Sequence, residues 1–434
     1  MSTPLRVLYV CHNHPDLRPG GTEIYALALH HAMRATEMCD SLFLAQVGGL
    51  SIDPPMQRAG TRFSLIRAET HEYWFATHGR QWLSLYQIYR SQHGQQPLTN
   101  SFDEFLRAVQ PDVVHFHHIM FLGYDLLWQT RMTLPHALIC MTWHEYLAIC
   151  HHNGQMIRKF NNALCDYADP QRCHRCFPEI APVAFFRRKA FLQAHLSVVD
   201  RFFAPSRFLK DRYVNWGIPE QKIQHEPNGH VPSLPVNMQA PPQQVRNRFA
   251  FFGRVCRYKG IDVVLKAMRI LIQNGTARKF KLRLSIFGSG LEMENEQFQD
   301  RVRVLLKQTR CCVTLHGRYH PDELPDLMQS VDWVVVPSIW WENAPLVIQE
   351  SFMHRRPVIC SDIGGMAEHV THGVNGFHFQ TGSAQSLAQT LTHAVSNAEQ
   401  WEQLEAGIPA VRSIEEAALS MAQIYQRLCQ HKQL

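Results

Sequence analysis

The chain has 434 residues, enough for two or three domains of roughly 150 residues that each bury a core. Apolar residues make up 45% and charged residues 18%, which excludes a disordered polyelectrolyte. The formal charge of +6 suits anionic ligands or an anionic membrane surface, and equally a solvated basic face.

Leu5–Val10 is too short for a signal-peptide core, and no stretch of about 18 apolar residues occurs. The expectation is a cytoplasmic chain, at most peripheral at the inner face of the membrane. Twelve cysteines without a secretory signal argue against a disulfide framework.

In chain order, Leu5–Val10 reads as a buried parallel strand, followed by a loop containing Pro19-Gly20-Gly21 and a helix from about Thr22. Ser41–Val47, Asp112–Phe116, Ala137–Trp143 and Phe202–Pro205 are further strands, the last closing this half. Residues 231–247 hold Pro232, Pro235, Pro241 and Pro242 and read as a linker. The alternation then restarts. Arg248–Phe252, Leu282–Phe287, Cys312–Leu315, Trp333–Pro337 and Pro357–Ser361 are strands. Ile261–Gln273, Asp326–Ser330, Leu346–His354 and Ser386–Asn397 are helical. A last helix from about Ser413 to Gln430 is long enough to cross back onto the first domain. The fold class is α/β, with two Rossmann-like parallel-sheet domains. They are assigned to residues 1–230 and 248–412, with 413–434 as the closing helix. Ligands in such sheets bind beyond the carboxyl ends of the strands.

Arg254 and Lys259 lie in the loop Gly253–Gly260, between a strand and a helix N-terminus. Two cations there suit a diphosphate, and a solvated basic loop is the alternative. Glu342 and Glu350 bracket the start of a helix, with Pro345 placed in its first turn. The amides of Ala344, Leu346 and Val347 form a nest for an anion or hydroxyl. Two carboxylates at this spacing can hold two hydroxyl-rich parts of one ligand, although solvated carboxylates are the commoner case. Gly288-Ser289-Gly290 follows a strand as a nucleotide-facing turn, a weak signal alone. Trp340 and Trp341 either stack on a sugar or base or pack their loop.

The ordered set Gly253-Arg254…Lys259-Gly260, Pro337-Ser338, Glu342-x7-Glu350, and Gly364-Gly365…Glu368 with Gly373-x-Asn375-Gly376 resembles the retaining nucleotide-sugar glycosyltransferases of family 4, which have the GT-B fold. Gly20-Gly21-x-Glu23, Pro111–His115, His144 and Ala204-Pro205-Ser206 match the same pattern in the first half. The likeness runs from about residue 5 to 400.

The resemblance implies two domains facing across a cleft. The reaction it implies moves a sugar from a nucleotide-sugar donor to a saccharide or lipid-linked saccharide, in polysaccharide or glycoconjugate synthesis. Retention at the anomeric carbon is implied as well, with no part for nucleic acid. Arg254, Lys259, Glu342 and His144 carry the implied catalytic roles. The implied donor-binding residues are Gly20, Gly21, Gly253, Gly288, Ser338, Asn343, Ala344, Pro345, Leu346, Val347 and Glu350. Arg254 and Lys259 would grip the diphosphate, Glu350 the ribose, and Glu342 the sugar hydroxyls. His144 would face the donor sugar. No Asp-x-Asp pair occurs, so no catalytic metal is expected. An epimerase or hydrolase on the same fold, and a non-catalytic glycan-binding scaffold, are the competing readings.

Cys150, Cys165, Cys173 and Cys176 form Cys-x14-Cys-x7-Cys-x2-Cys within an insertion at about 148–180. Four thiolates suit structural Zn²⁺ better than an iron–sulfur cluster, and free buried thiols are the alternative. A subset of the family resembles this chain in carrying a cysteine-rich insertion. Phe185-Phe186-Arg187-Arg188-Lys189 reads as a surface helix with Phe185, Phe186 and Leu192 packed inward, or as a basic face for anionic lipid.

Overall fold

The computed structural model describes residues 4–47, 63–76, 96–120, 122–231 and 246–432. The chain divides into two compact units, Met1–Val231 with Arg412–Leu434, and Pro232–Val411. Most of the expected linker, 232–245, lies outside the described residues.

The first unit is built on eight strands: β1 Leu5–Cys11, β2 Cys39–Val47, β3 Phe63–Arg67, β4 Glu72–Ala76, β5 Val113–Phe116, β6 Leu138–Thr142, β7 Arg201–Ala204 and β8 Ile223–His225. They lie in the order β3-β4-β2-β1-β5-β6-β7-β8. All neighbours are parallel except β3 against β4, which is antiparallel. The sheet therefore departs from the all-parallel expectation at one edge. It also continues past β7, through the three-residue β8. The central strands are continuous apolar runs because helices cover both faces.

The closing helix, Ile414–Lys432, belongs to this unit. Its Ile414, Ala417, Ala418, Met421, Ala422 and Tyr425 recur at helical spacing and share one core cluster with Tyr25, Leu29 and Met33 of helix Gly21–Ala35. In helix Pro182–Leu196 the buried positions are Phe185, Arg188, Leu192 and Leu196. Phe186 is off that phase and 63% exposed, which corrects the inward packing expected for it.

The second unit holds six parallel strands: β9 Arg248–Phe252, β10 Arg283–Phe287, β11 Val313–Gly317, β12 Trp333–Val336, β13 Val358–Ser361 and β14 Gly376–Phe379. Their order is β11-β10-β9-β12-β13-β14. β14 was not anticipated, since its residues begin inside the Gly373-x-Asn375-Gly376 turn. Helix Ile261–Gln273 buries Ile261, Val264, Leu265, Met268 and Leu271 on the sheet. In both sheets the strand order reverses at the first strand, between β1 and β5 and between β9 and β12. These are the switch points where loops part and leave a crevice.

Asp332, 1% exposed, anchors the start of β12. Its carboxylate accepts from the Arg248 amide and Nη2, each at 2.9 Å, and lies 3.7 Å from Arg246 Nη1. Arg246 in turn stacks 3.8 Å over Trp401. Asp332→Asn leaves buried guanidinium charge uncompensated. It should destabilise this unit by about 3 kcal/mol, read as a lower urea midpoint at unchanged slope. A loss below about 1 kcal/mol would mean that solvent replaces the carboxylate.

Candidate active site

At the switch point of the second sheet, the loops after β9, β10 and β12 are stitched by backbone bonds. The Gly253 amide donates to the Phe287 carbonyl at 3.0 Å, Val255 to Ser289 at 2.9 Å, and Ile339 to Tyr258 at 2.9 Å. Glycine makes this approach possible. A Cβ on Gly288 would sit 1.7 Å from the Gly253 oxygen, and one on Gly260 1.8 Å from the Pro337 oxygen.

Glu342 lies on the β12 loop and is 6% exposed. Its Oε1 accepts from Lys259 Nζ at 2.7 Å, Ser338 Oγ at 2.7 Å and Trp340 Nε1 at 2.8 Å. Burial works to raise this carboxyl. The Lys259 charge and the hydrogen bonds from Lys259, Ser338 and Trp340 outweigh it and hold the group below the usual carboxylate range. No side chain among the described residues bonds Oε2, which leaves one oxygen for a ligand hydroxyl. Trp340 thus packs its loop through a donor to Glu342. Arg254 is exposed, makes no ion pair among the described residues, and rests against Met293 Sδ at 3.6 Å.

Glu350 sits in the second turn of helix Leu346–Met353. It is half-buried, its carboxyl has no hydrogen-bond partner among the described residues, and burial pushes it up to about 7. Pro345 is the N-cap rather than a first-turn residue. The Leu346 and Val347 amides, at the start of that helix, have no acceptor within it. Gly365 lies so close under the loop that a Cβ would meet the Asn343 oxygen at 1.5 Å, and its amide donates to the Glu342 carbonyl at 2.8 Å. Gly253, Arg254, Lys259, Gly288, Ser338, Glu342, Asn343, Ala344, Pro345, Leu346, Val347 and Glu350 are thus gathered beyond the carboxyl ends of β9, β10 and β12. Asn375, by contrast, is buried and holds its own turn through the Thr371 amide at 2.8 Å.

Gly20, Gly21 and His144 belong to the first unit. Gly20 caps helix Gly21–Ala35, and a Cβ there would meet Glu23 Oε2 at 2.6 Å. Glu23 pairs with His12 at 3.1 Å, and the His12 ring lies 4.2 Å from that of His118. His118 Nε2 is 3.6 Å from Glu145 Oε1. His144, just past β6, shares a hydrogen bond with His117 Nδ1 at 3.2 Å. Burial, reinforced by neighbouring imidazoles, depresses His117, His118 and His144 well below the ordinary value, so they are neutral at pH 7. Burial lifts Glu145 to about 8 against the Leu147 amide and Arg188. Sequence reasoning missed His12, His117, His118 and Glu145. The available signal was the run His115–His118 straddling the end of a buried strand. His115 itself is structural, bonding Thr142 Oγ1 at 2.8 Å and the Tyr425 hydroxyl.

Cys150, Cys165, Cys173 and Cys176 line one cavity, with burial raising Cys150 and Cys173 to about 11 and about 12. The one set of three or more ligand atoms within 4.8 Å of one another among the described residues is His30–His31–Glu72. That set is already saturated. His30 bonds Ser41 and the Thr70 carbonyl, each at 2.7 Å, and Glu72 serves His14, His31, Arg67 and Thr70.

The profile described as Glycosyltransferase Family 4 matches residues 19–233, and that described as Glycosyl transferases group 1 matches residues 246–397. The chain belongs to the family 4 glycosyltransferases. Among relatives in this family, an uncharacterised glycosyltransferase of Methanocaldococcus jannaschii is 30% identical over 149 residues, 34% of this chain and 35% of that protein. The D-inositol 3-phosphate glycosyltransferase of Corynebacterium aurimucosum is 29% identical over 174 residues, 40% and 38%. The lipopolysaccharide 1,2-N-acetylglucosaminetransferase of Salmonella typhimurium is 25% identical over 210 residues, 46% and 54%. The chain thus spans about a third to a half of the length of these relatives. Among solved structures, Anabaena HepE with UDP and glucose aligns over 97% of this chain and 99% of that one, at 16% identity and a TM-score of 0.62. The sucrose-phosphate synthase of Thermosynechococcus elongatus aligns over 98% and 100%, at 17% identity and a TM-score of 0.71. The fold is GT-B.

Glu350 makes a pH prediction. The native chain keeps its proton to about pH 7, whereas the unfolded chain releases it near 4.5. The native state therefore binds more protons in that window, and stability falls as pH rises through it. Glu350→Gln removes this dependence. The Tm difference should shift in favour of the variant between about pH 5 and about pH 8. A difference independent of pH would show that Glu350 ionises normally.

Proposed function

We propose that this chain is a retaining glycosyltransferase that moves a sugar from a nucleotide-sugar donor to a glycan or lipid-linked glycan in cell-surface polysaccharide or glycoconjugate synthesis. The observation that carries the reading is the ion pair of Lys259, on the loop that also carries Arg254, with the buried Glu342 carboxylate, together with the Glu350 carboxyl, which burial alone perturbs. Breaking the anomeric bond leaves negative charge on the diphosphate, and Arg254 and Lys259 supply cations where it develops. Glu342 Oε2 and the amides after it orient the sugar hydroxyls. Glu350, once ionised, accepts from the ribose hydroxyls. The acceptor hydroxyl forms the new bond on the face the diphosphate leaves, and its proton passes to the departing phosphate oxygen. With two cations in this role and no Asp-x-Asp pair, catalysis proceeds without a metal. His144, held neutral, contributes a hydrogen-bonding imidazole, and Gly21 offers an amide without a Cβ.

Relatives support the biological setting. One carries the name of a lipopolysaccharide transferase, and another, AmsK of Erwinia amylovora, is named for amylovoran biosynthesis. We place the enzyme in the cytoplasm at the inner membrane face. No helix among the described residues is long and apolar enough to cross a membrane, and Val183 and Phe186 stand exposed beside Arg187.

A thermal-shift screen against UDP-, GDP-, ADP- and dTDP-sugars should single out one nucleotide, followed by transfer to an acceptor with retained anomeric configuration. Nucleotide release without transfer to any acceptor would support a hydrolase instead. Lys259→Ala should weaken the nucleoside diphosphate about tenfold while leaving the bare nucleoside unaffected. Equal diphosphate affinity in variant and wild type would remove Lys259 from the role.

A further inference from the structure

We propose that Cys150, Cys165, Cys173 and Cys176 bind one Zn²⁺ in a closed tetrahedral tetrathiolate that staples segment 150–176 of the first unit. The four residues come from three stretches and line a single cavity. Cys150 ends the loop after β6. Cys165 follows the isolated bridge between Ile157 and Leu164. Cys173 and Cys176 sit one turn apart on helix Pro170–Cys176, hence on one face.

The wall chemistry selects the ion. No carboxylate lines the cavity, which disfavours Ca²⁺ and Mg²⁺, and four sulfurs favour a borderline-soft ion. Arg158, Arg172 and Arg175 line the same cavity. Four thiolates on one Zn²⁺ make a doubly negative centre, and these guanidinium groups supply its counter-charge. Arg172 Nη1 is buried with no hydrogen-bond partner, a donor suited to a metal-bound thiolate. Arg188 flanks the cluster from a neighbouring cavity that it shares with His151 and Cys173.

No three of the sulfurs lie within 4.8 Å of one another. Cys165 Sγ donates to the Tyr167 carbonyl at 3.2 Å. Gathering them on one ion breaks that bond and releases four protons to solvent, so metal binding and ordering of the segment are coupled. The segment has little regular structure to order it otherwise. Asn153, Met156 and Asn162 all adopt positive φ, and the helix within it is seven residues long.

The test is elemental analysis of the full-length protein purified without chelator. The expected result is about one zinc per chain, with no iron or acid-labile sulfide. Cys173→Ser with Cys176→Ser should lose the zinc, whereas Cys311→Ser, exposed in the second unit, should keep it. Should the double variant fail to fold, the wild type decides. Treatment with a mercurial should release zinc, and Co²⁺ replacement should give the charge-transfer bands of a tetrahedral thiolate site. Wild type without zinc, a Cys173–Cys176 disulfide, or iron with sulfide would each overturn the proposal.

Discussion

Glu342 Oε1 is the atom on which the candidate site depends. A carboxylate this deeply buried is costly unless paired and hydrogen-bonded. Its three donors come from two loops: Lys259 after β9, and Ser338 and Trp340 after β12. The charge is tolerable only while the loops are in register. That register rests on β9 and β12 being neighbours at the switch point, and on glycines that let the backbones touch at Gly260–Pro337 and Gly253–Gly288. Sheet order, glycine placement and the position of the lysine ammonium are therefore one constraint.

The same constraint separates two carboxylates only eight positions apart. Glu342 is held ionised by three donors, one of them the Lys259 cation, whereas Glu350 has burial and nothing to oppose it. One carboxyl is a fixed negative point, and the other titrates near neutrality. Environments that push like groups apart in this way are characteristic of functional sites. The first unit uses a different logic. There burial keeps His117, His118 and His144 uncharged, so that cluster offers donors and acceptors rather than a field.

What the sequence disclosed follows from this physics. Parallel strands covered on both faces are short apolar runs, so β1, β5, β6, β9, β10, β12 and β13 were legible, and helix Ile261–Gln273 fell on its observed bounds. The edge strand β3 with its neighbour β4, and the three-residue edge strand β8, lack that signature. In the site, Arg254, Lys259, Glu342 and Glu350 were legible as a spaced set. The Lys259–Glu342 bond was not, because it joins residues 83 apart through sheet order. The burial of Arg188 was hidden for a related reason. Its partners are the carbonyls of Leu147, Ala148 and Ile149, which carry no side-chain signal.

Arg188 also ties the cysteine segment to the chemistry of the first unit. By bonding the carbonyls of residues 147–149, it clamps the chain just after His144 and Glu145 to helix Pro182–Leu196. The Tyr213 hydroxyl adds a bond to the Glu145 carbonyl at 2.9 Å. Segment 150–176 leaves from one side of this clamp and returns to the other. Slack in that segment would be transmitted to the clamp, and through it to the loop that sets the His144 imidazole against His117. A rigid cross-link of the four cysteines would therefore fix the His144 loop without touching it. An insertion with little core of its own and a buried arginine that donates to backbone carbonyls solve one mechanical problem together.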